Sequence, residues 1–530
     1  MSTGHPGPPG RNWRDAVRPV LRGVVAHPVL TAQVVLDRIS EDPSRLPGHL
    51  PGQGGQGAQA RIRARALWNS GELSAALAEL PPGDRLARRW EGELRLLGPD
   101  PVPSAPLLPV RPVHGRILHV VTNALPYAQA GYTLRTHRIA RAQRAIGLAP
   151  HVVTSWGWPA NMGHVDAPER ERIDGVPYHR LIPHGRIPAA PDARLVQGVE
   201  AATALVRLLR PAVLHAATDH RNGSIALAVR ERTGVPVVYE VRGFLEQTWL
   251  AAAPGRDPGA ERIRRHRERE TAVMLAADAV FTLSETMRTE ILALGVPADK
   301  VVLTPNAVET KLLTVRHDSA RARASLGLDE GDFVVGSASK LAAYEGFDVL
   351  LEAVALLRGR GTAVRVLLIG DGPEGSRLRS RAEALGLGPR DVLFAGRMTP
   401  DAAQRACAAL DVFVVPRPDL PVTRLVTPLK PLEAMALGCP VVASDLPALR
   451  EITSIGGAGG KPAAGLVRPG DPAALADELA ALRDDPVRRL ALVAAGREAV
   501  AAAWTWDRVA QAQVDVYKRL TGREVPVSVT

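Results

Sequence analysis

The sequence predicts an α/β protein of two successive doubly wound halves, each a mostly parallel sheet covered by helices, behind a helical amino-terminal region. Three observations predict it. From Gly115 onward, short β-branched runs alternate with amphipathic helical patterns, as βαβ units require. The alternation reaches Leu303, closes in a turn, and begins afresh at Phe333, which makes two series. A chain of 530 residues also exceeds what one ordinary core organises.

Residues 1–113 form the accessory region, where Pro/Gly-rich breaks at 4–10, 47–57 and 98–109 separate short helical stretches. Its first stretch sets Val17, Leu21 and Val24 on one face and Arg14, Arg18 and Arg22 beside them. Such a helix either lies on an anionic membrane or packs on the protein body, and packing is the plainer reading. Residues 60–80 have a helix-turn-helix pattern.

Residues 114–312 make the first half. GRILHVVTNALP is its first strand and GYTLRTHRIARAQRAIG the helix behind it; APHVVTSWG, AVLHAA, VPVVYEVRG and DAVFTLSE supply further strands, and the last ends at Leu303. In residues 313–505, FVVGSASK, VRVLLIGDGP, DVLFAG, DVFVVPR and CPVVASD alternate with helices at 346–359 and 375–386. A final helix in 506–530 is expected to cross back onto the first half.

Composition narrows the class. Hydrophobic residues make 46% and aromatics only 4%, which suits a globular α/β chain. The formal net charge of +11 points to an anionic partner: nucleic acid, phospholipid or a phosphorylated substrate. No aromatic stacking motif or nucleic-acid module accompanies it, so nucleic acid is not expected. Cys407 and Cys439, the only cysteines, sit in apolar runs, which excludes a disulfide framework and a thiolate zinc site. No apolar run approaches the ~20 residues that span a bilayer, and the first twenty residues hold no hydrophobic signal core. A cytoplasmic protein is expected, with contact at the inner face of the membrane left open.

The segment VTPLKPLEAMALGCPVVASD, residues 426–445, carries the strongest chemical signal. Pro431 and Glu433 open a short helix that Gly438 ends, ahead of a buried strand. The amino end of such a helix aims free N–H groups and a positive dipole at the mouth of the sheet, which suits a diphosphate. Glu433 can accept hydrogen bonds from ribose hydroxyls, and Lys430 adds a positive charge. The same residues also describe an ordinary helix with an acidic first turn.

The longer match decides between these. PLEAMALGCPVVASD resembles the donor-site signature of retaining glycosyltransferases of family four, which have the GT-B fold of two Rossmann-like domains facing a cleft. Further segments follow in the family's order: TPNAV from Thr304, GSASKLAAYEGFDVLLEA from Gly336, LLIGDGPEGSRL from Leu367 and FAGRM from Phe394. The resemblance covers about residues 114–520. AGYTLRTHRIARAQ and VVYEVRGF resemble a bacterial subgroup that builds cell-surface polysaccharides.

The resemblance implies a nucleotide-sugar donor, a saccharide or lipid-linked hydroxyl acceptor, no cofactor and no metal. It places the donor carboxylate at Glu433 and a diphosphate cation at Lys340. Two positions depart from the family: Glu345 stands where a lysine usually precedes the glycine of the next helix, and Leu425 where an earlier glutamate stands. Lys430, Arg397 and Arg417 are the cations expected to compensate. Thr427, Pro428, Leu429 and Leu432 frame the donor loop, and Gly370 and Asp371 in GDGP form a base-binding wall. Gly131 is either a turn glycine or the point where backbone approaches the transferred sugar.

The family's histidine near the reacting sugar falls in LHAATDHRNGS, where the expected position holds Ala217. His220 is the first candidate and His215 the alternative. Arg242, after a buried strand, either holds an acceptor phosphate or the donor, or pairs with Glu240 or Glu246. RIRRHRERE, residues 262–270, reads as a solvated helix face. A sugar-nucleotide epimerase of the same fold and a sugar-nucleotide-binding protein without turnover are the competing functions.

Overall fold

A computed structural model describes residues 56–99, 101–253, 255–455 and 461–522. The stretch with Val17, Leu21 and Val24 lies outside the described residues. Two parallel-rich sheets organise the rest. The larger holds β1 (Arg116–Val121), β2 (Ala149–Thr154), β3 (Arg170–Ile173), β4 (Val176–Arg180), β5 (Val213–Ala217), β6 (Val237–Val241), β7 (Ala279–Thr282) and β8 (Val301–Leu303). Its order is β3-β4-β2-β1-β5-β6-β7-β8. The smaller holds β9 (Val334–Ala338), β10 (Arg365–Ile369), β11 (Val392–Gly396), β12 (Val412–Val415), β13 (Val441–Ser444) and β16 (Gly465–Val467), ordered β11-β10-β9-β12-β13-β16. A two-stranded ribbon, β14 (Ser454–Ile455) with β15 (Lys461–Pro462), completes the set.

Both sheets reverse their winding once. In the larger the chain runs outward from β1 through β2 and returns to lay β5 on β1's other side; in the smaller, β9 has β10 on one side and β12 on the other. These are topological switch points, where the loops at the carboxyl ends of adjacent strands diverge and leave a crevice.

The central strands of the smaller sheet, β9, β10, β12 and β13, are buried on both faces, as parallel strands between helices must be. Leu367, Ile369, Phe413 and Val415 face one core with Leu432, Met435 and Leu449. Their neighbours Val366, Leu368, Val412 and Val414 face a second core with Phe347, Leu350, Val354 and Leu475. The period of two distributes each apolar run between the cores.

The chain divides into two compact units. One takes the described residues to Glu240 with Arg256–Val280 and the chain from Tyr517; the other takes Val241–Gly255 and Phe281–Val516. The second unit resumes at Phe281 although β7 and β8 belong to the larger sheet. Hydrogen bonds explain this: the Ser284 hydroxyl donates to Leu425 O at 3.2 Å and the Glu285 amide to the Glu451 carboxylate at 2.8 Å, tying the segment after Phe281 into the second unit.

Sequence reading also missed the antiparallel hairpin β3-β4. Asp174 and Gly175, with φ of 48° and 79°, turn it. The Asp-Gly dipeptide was the available signal, since two successive left-handed residues make the tight hairpin turn.

Three helices, Gln56–Ser70, Leu73–Ala78 and Arg85–Leu96, occupy the described part of the accessory region. Trp68 and Trp90 stack at 4.3 Å over a small core of Ala64, Ala76, Leu80 and Ala87. This bundle is fastened to the first unit. Glu261 accepts from the Ser74 amide at 2.6 Å, the Arg262 amide donates to Gly71 O at 2.9 Å, and the Arg262 guanidinium lies 5.1 Å over the Trp68 ring. Much of RIRRHRERE is therefore packed: Ile263, Arg269 and Glu270 are buried. Among the described residues no helix is long and apolar enough to cross a membrane.

Candidate functional site

The helix Lys430–Leu437 stands where its sequence puts it. Pro431, with no amide to lose, sits in the first turn; Gly438 at φ 84° ends the helix; Leu432, Met435 and Ala436 bury its inner face at 0 to 1% exposure. Burial of the Leu432 and Met435 side chains contributes roughly 1.5–3 kcal/mol each. The first intrahelical bond runs from the Glu433 amide to Leu429 O, so the Lys430 and Leu432 amides precede it.

At this helix start the Lys430 ammonium meets Glu433 Oε2 at 2.8 Å. Glu433 is buried, whereas 37% of the Lys430 side chain reaches solvent. Thr427 lies just before them: its carbonyl accepts from Asn306 Nδ2 at 2.7 Å, and its buried hydroxyl has no hydrogen-bond partner within the protein. Asn306 belongs to TPNAV and was not singled out from sequence, yet it holds the loop that carries Thr427 and, after Pro428 and Leu429, the helix. Below it the Cys407 thiol is pushed up to about 12, chiefly by burial, with Lys430 opposing and Glu433 adding to the shift.

The loops after β9, β10 and β11 extend the sheet's ladder past the strands. The Ser339 amide donates to Ile369 O, Leu341 to Asp371 O and Gly370 to Gly396 O, at 2.8 to 3.1 Å. Glycine is required for this approach, because a Cβ on Gly370 would lie 1.9 Å from Ser339 O. Lys340, Gly370, Asp371 and Arg397 are thereby gathered on one rim. Lys340, Asp371 and Arg397 are exposed, and the Asp371 carboxylate caps its own turn by accepting from the Gly372 amide at 2.8 Å.

Arg417 departs from expectation. Its guanidinium is buried and grips Glu345 with two bonds, Nη2 to Oε1 at 2.9 Å and Nε to Oε2 at 3.2 Å, and donates to Val426 O. The glutamate that replaces the expected lysine has thus engaged this arginine across the β9/β12 switch point. Arg417 is a structural partner of Glu345, and the exposed cations of this rim are Lys340, Arg397 and the partly exposed Lys430.

The switch point of the larger sheet is lined by the residues after β1 and β5 and by the helix Gly131–Ala145. Gly131 is exposed at this helix's first position, and an added Cβ would meet nothing within 4 Å. Packing therefore does not explain a glycine there. Asn222 Nδ2 donates to the Thr122 hydroxyl at 2.9 Å and to Ala217 O at 2.8 Å, closing the crevice floor; sequence reading passed over both side chains. Arg242, half-buried, follows the end of β6.

His220 is enclosed by protein. It is 1% exposed, its amide donates to Glu270 Oε1, and its ring packs edge-on to His266 at 5.6 Å. Burial first, then Arg221, His266 and Arg269, holds it well below the ordinary histidine range, so it is neutral. The alternative, His215, is fully buried with Nδ1 2.8 Å from the Tyr517 hydroxyl. Both rings are enclosed by protein.

Comparison with known proteins sets this geometry in a family. The Glycosyl transferases group 1 family matches residues 332–485, and the Glycosyl transferase 4-like domain matches residues 130–307. A D-inositol 3-phosphate glycosyltransferase of Kineococcus radiotolerans is 31% identical over 318 residues, 56% of this chain and 69% of that one. The chain belongs to the group 1 glycosyltransferases. The D-inositol 3-phosphate glycosyltransferase of Acidothermus cellulolyticus is 31% identical over 309 residues, which cover 56% of this chain and 65% of the relative. The matched stretch thus spans just under two thirds of that relative's length. The fold is that of the Anabaena protein HepE, solved with UDP and glucose, at a TM-score of 0.58 and 18% identity over 77% of this chain and 100% of HepE. This glycosyltransferase has its GT-B fold in both sheets; the accessory bundle lies outside both family matches.

Proposed function

We propose that this group 1 glycosyltransferase moves a sugar, with retention, from a nucleotide diphosphate to a hydroxyl acceptor in surface-polysaccharide or glycoconjugate synthesis. The observation that carries this reading is the Lys430–Glu433 pair at an uncapped helix start on the carboxyl rim of the smaller sheet. Glu433 accepts the ribose hydroxyls, while Lys430 turns toward the diphosphate with the amides of the helix start and the exposed Lys340 and Arg397. Thr427, Pro428, Leu429 and Leu432 shape the loop around the sugar, and Gly370 and Asp371 the wall beside the base.

The acceptor takes the crevice by Gly131 and carries an acidic group, as the net charge of +11 suggests. Two relatives bear the name D-inositol 3-phosphate glycosyltransferase, and the compound in that name carries a phosphate. In the reaction the acceptor oxygen bonds to the anomeric carbon on the face the nucleotide leaves, the carbon–phosphate oxygen bond breaks, and the hydroxyl proton passes to the departing phosphate. This needs no side-chain base, which fits the burial of His220 and His215. The cations and helix amides stabilise the departing charge, so no metal is assigned to the step. Work at the inner face of the cytoplasmic membrane is part of the proposal, motivated by the net charge of +11.

A thermal-shift panel of nucleotide sugars, followed by transfer from the radiolabelled hit, tests the reading, since a ligand that binds the native state raises the melting temperature. No shift with any nucleotide sugar sinks it. Epimerised donor without transfer favours the epimerase, and binding without turnover a non-catalytic binder.

A further inference from the structure

Six polar side chains are sealed inside the first unit, at 0 to 2% exposure each: His119, Arg135, Gln143, His215, Glu240 and Tyr517. The Arg135 guanidinium donates to Glu240 Oε1 from Nη2 at 2.6 Å and Nε at 3.1 Å, and His215 Nε2 lies 3.5 Å from Oε2. His215 Nδ1 meets the Tyr517 hydroxyl at 2.8 Å, Gln143 donates to that hydroxyl at 3.1 Å, and His119 Nε2 meets Gln143 Oε1 at 2.8 Å. Apolar residues of the same volume fill a core at least as well, and a buried ion pair is weak as a source of stability. What it supplies is register.

The register concerns the crevice. Arg135 stands one turn after Gly131 on the same helix, so the two share a face and Arg135 pins the helix start. Glu240 also fixes β5: its carbonyl accepts the Thr218 amide and the Thr218 hydroxyl, each at 2.9 Å, just past the strand's end. One glutamate therefore holds both walls of the larger sheet's switch point, by carboxylate and by carbonyl.

We infer that Arg135 and Glu240 are a positioning pair that sets the Gly131 helix start against the Thr218 end of β5, and with it the seat of the acceptor. The inference rests on the proposed function for its chemical meaning. Neither residue touches substrate; both act through the backbone of Gly131 and Thr218.

The test compares Glu240→Gln and Arg135→Lys with Tyr517→Phe, which cuts the same network on the side away from Gly131. Turnover of the nucleotide sugar is measured well below each variant's melting temperature. Glu240→Gln lowers kcat about tenfold or more with donor KM within about twofold, because misplacement of a reacting group by a fraction of an ångström acts on the chemical step. Arg135→Lys, which keeps the charge but not the fork, recovers part of that loss relative to Arg135→Ala, and Tyr517→Phe loses stability but not kcat. Unchanged kcat in Glu240→Gln, or an equal loss in Tyr517→Phe, overturns the inference. A second measurement stands apart from turnover: amide hydrogen exchange across residues 128–134 accelerates in Glu240→Gln and not in Tyr517→Phe. A wild-type enzyme that turns over no nucleotide sugar defeats the proposed function, while this exchange pattern still decides whether the pair positions Gly131.

Discussion

Replacing Gly346 by alanine should unfold the donor-side switch point by a measurable amount. Gly346 has φ of 72° between the Glu345 turn and the helix Phe347–Gly359, and a Cβ there would lie 2.0 Å from Pro416 O. Holding alanine in the left-handed region costs about 1–2 kcal/mol. An ordinary contact needs well over 3 Å, so the carbonyl must retreat by more than ~1 Å; it is set between Pro416 and Pro418, which resist, and overpacking of this kind adds roughly 1–3 kcal/mol. The total is about 2–5 kcal/mol, or a fall in melting temperature of roughly 4–20 °C for a unit of this size. Scanning fluorimetry and urea unfolding with an unchanged m-value measure it. Gly131→Ala is the matched control: its φ is ordinary, no atom lies within 4 Å, and alanine suits a helix interior better than glycine. It should keep or slightly raise stability while lowering transfer. A Gly346→Ala protein melting within 2 °C of wild type, or a Gly131→Ala protein that is destabilised, refutes the reasoning.

Other outcomes follow from the same geometry. Glu433→Ala and Lys430→Ala should each lower kcat/KM by about 10²–10³, the usual scale for removing one preorganised electrostatic partner, and Lys430→Ala should also cost about 1–2 kcal/mol of stability, because it strips a buried carboxylate of its ammonium; wild-type rates in both would dismiss the site. A double-mutant cycle on Glu345→Gln and Arg417→Lys should give a coupling of about 1–3 kcal/mol in stability with donor affinity little changed, and the reverse pattern would restore Arg417 to the diphosphate. The pH profile of stability should fall as pH drops from about 6.5 to 4. His151, His179 and His266 are each held near 4, mainly by burial, with His151 Nδ1 against His179 Nε2 at 2.9 Å. The unfolded chain therefore binds more protons than the folded one in that window, so stability is complete above 6.5 and lost on acidification. A fully buried ring contributes up to about 3 kcal/mol over the window, and partly exposed His151 and His266 less. Melting temperatures unchanged from pH 7 to 4.5 would contradict this.

Much of the fold was legible because its strands are short apolar runs bounded by turn residues, and the helix Lys430–Leu437 because Pro431 and Gly438 punctuate it. The hairpin β3-β4 was legible in principle: Arg170–Ile173 and Val176–Arg180 flank Asp-Gly, but its charged residues hid the strand pattern. The burial of His220 was hidden for a different reason. A histidine just past a buried strand looks available in sequence, and only the arrival of the helix Glu261–Ala276, with His266 and Glu270, encloses it. Nothing local announces a contact fifty residues away.

The arginines make the same point about charge. Arg397 and Arg417 look alike in sequence, each following a strand of the second series by one residue or two. What separates them is the partner that tertiary structure delivers. Arg417 lies beside the switch point, where Glu345 arrives from the loop after β9, and a planar guanidinium locked two-to-two with a carboxylate has spent the geometry that would clasp a phosphate. Arg397 follows β11, at the sheet's edge, and stays exposed. In the proposed donor site a diphosphate meets Lys340, Arg397 and Lys430, and Lys430 leaves a carboxylate to bind it. That exchange couples the two halves of the proposed donor site: as phosphate draws Lys430 away, the Glu433 Oε2 that the ammonium held is turned over to the ribose hydroxyls. Ribose and diphosphate should accordingly bind with positive coupling, so that a nucleoside diphosphate binds more tightly than the sum of nucleoside and pyrophosphate predicts after linkage, and Lys430→Ala should erase the excess. Calorimetric titration of nucleoside, pyrophosphate and nucleoside diphosphate into both proteins measures it, and an excess that survives the substitution would show that Glu433 and Lys430 act independently.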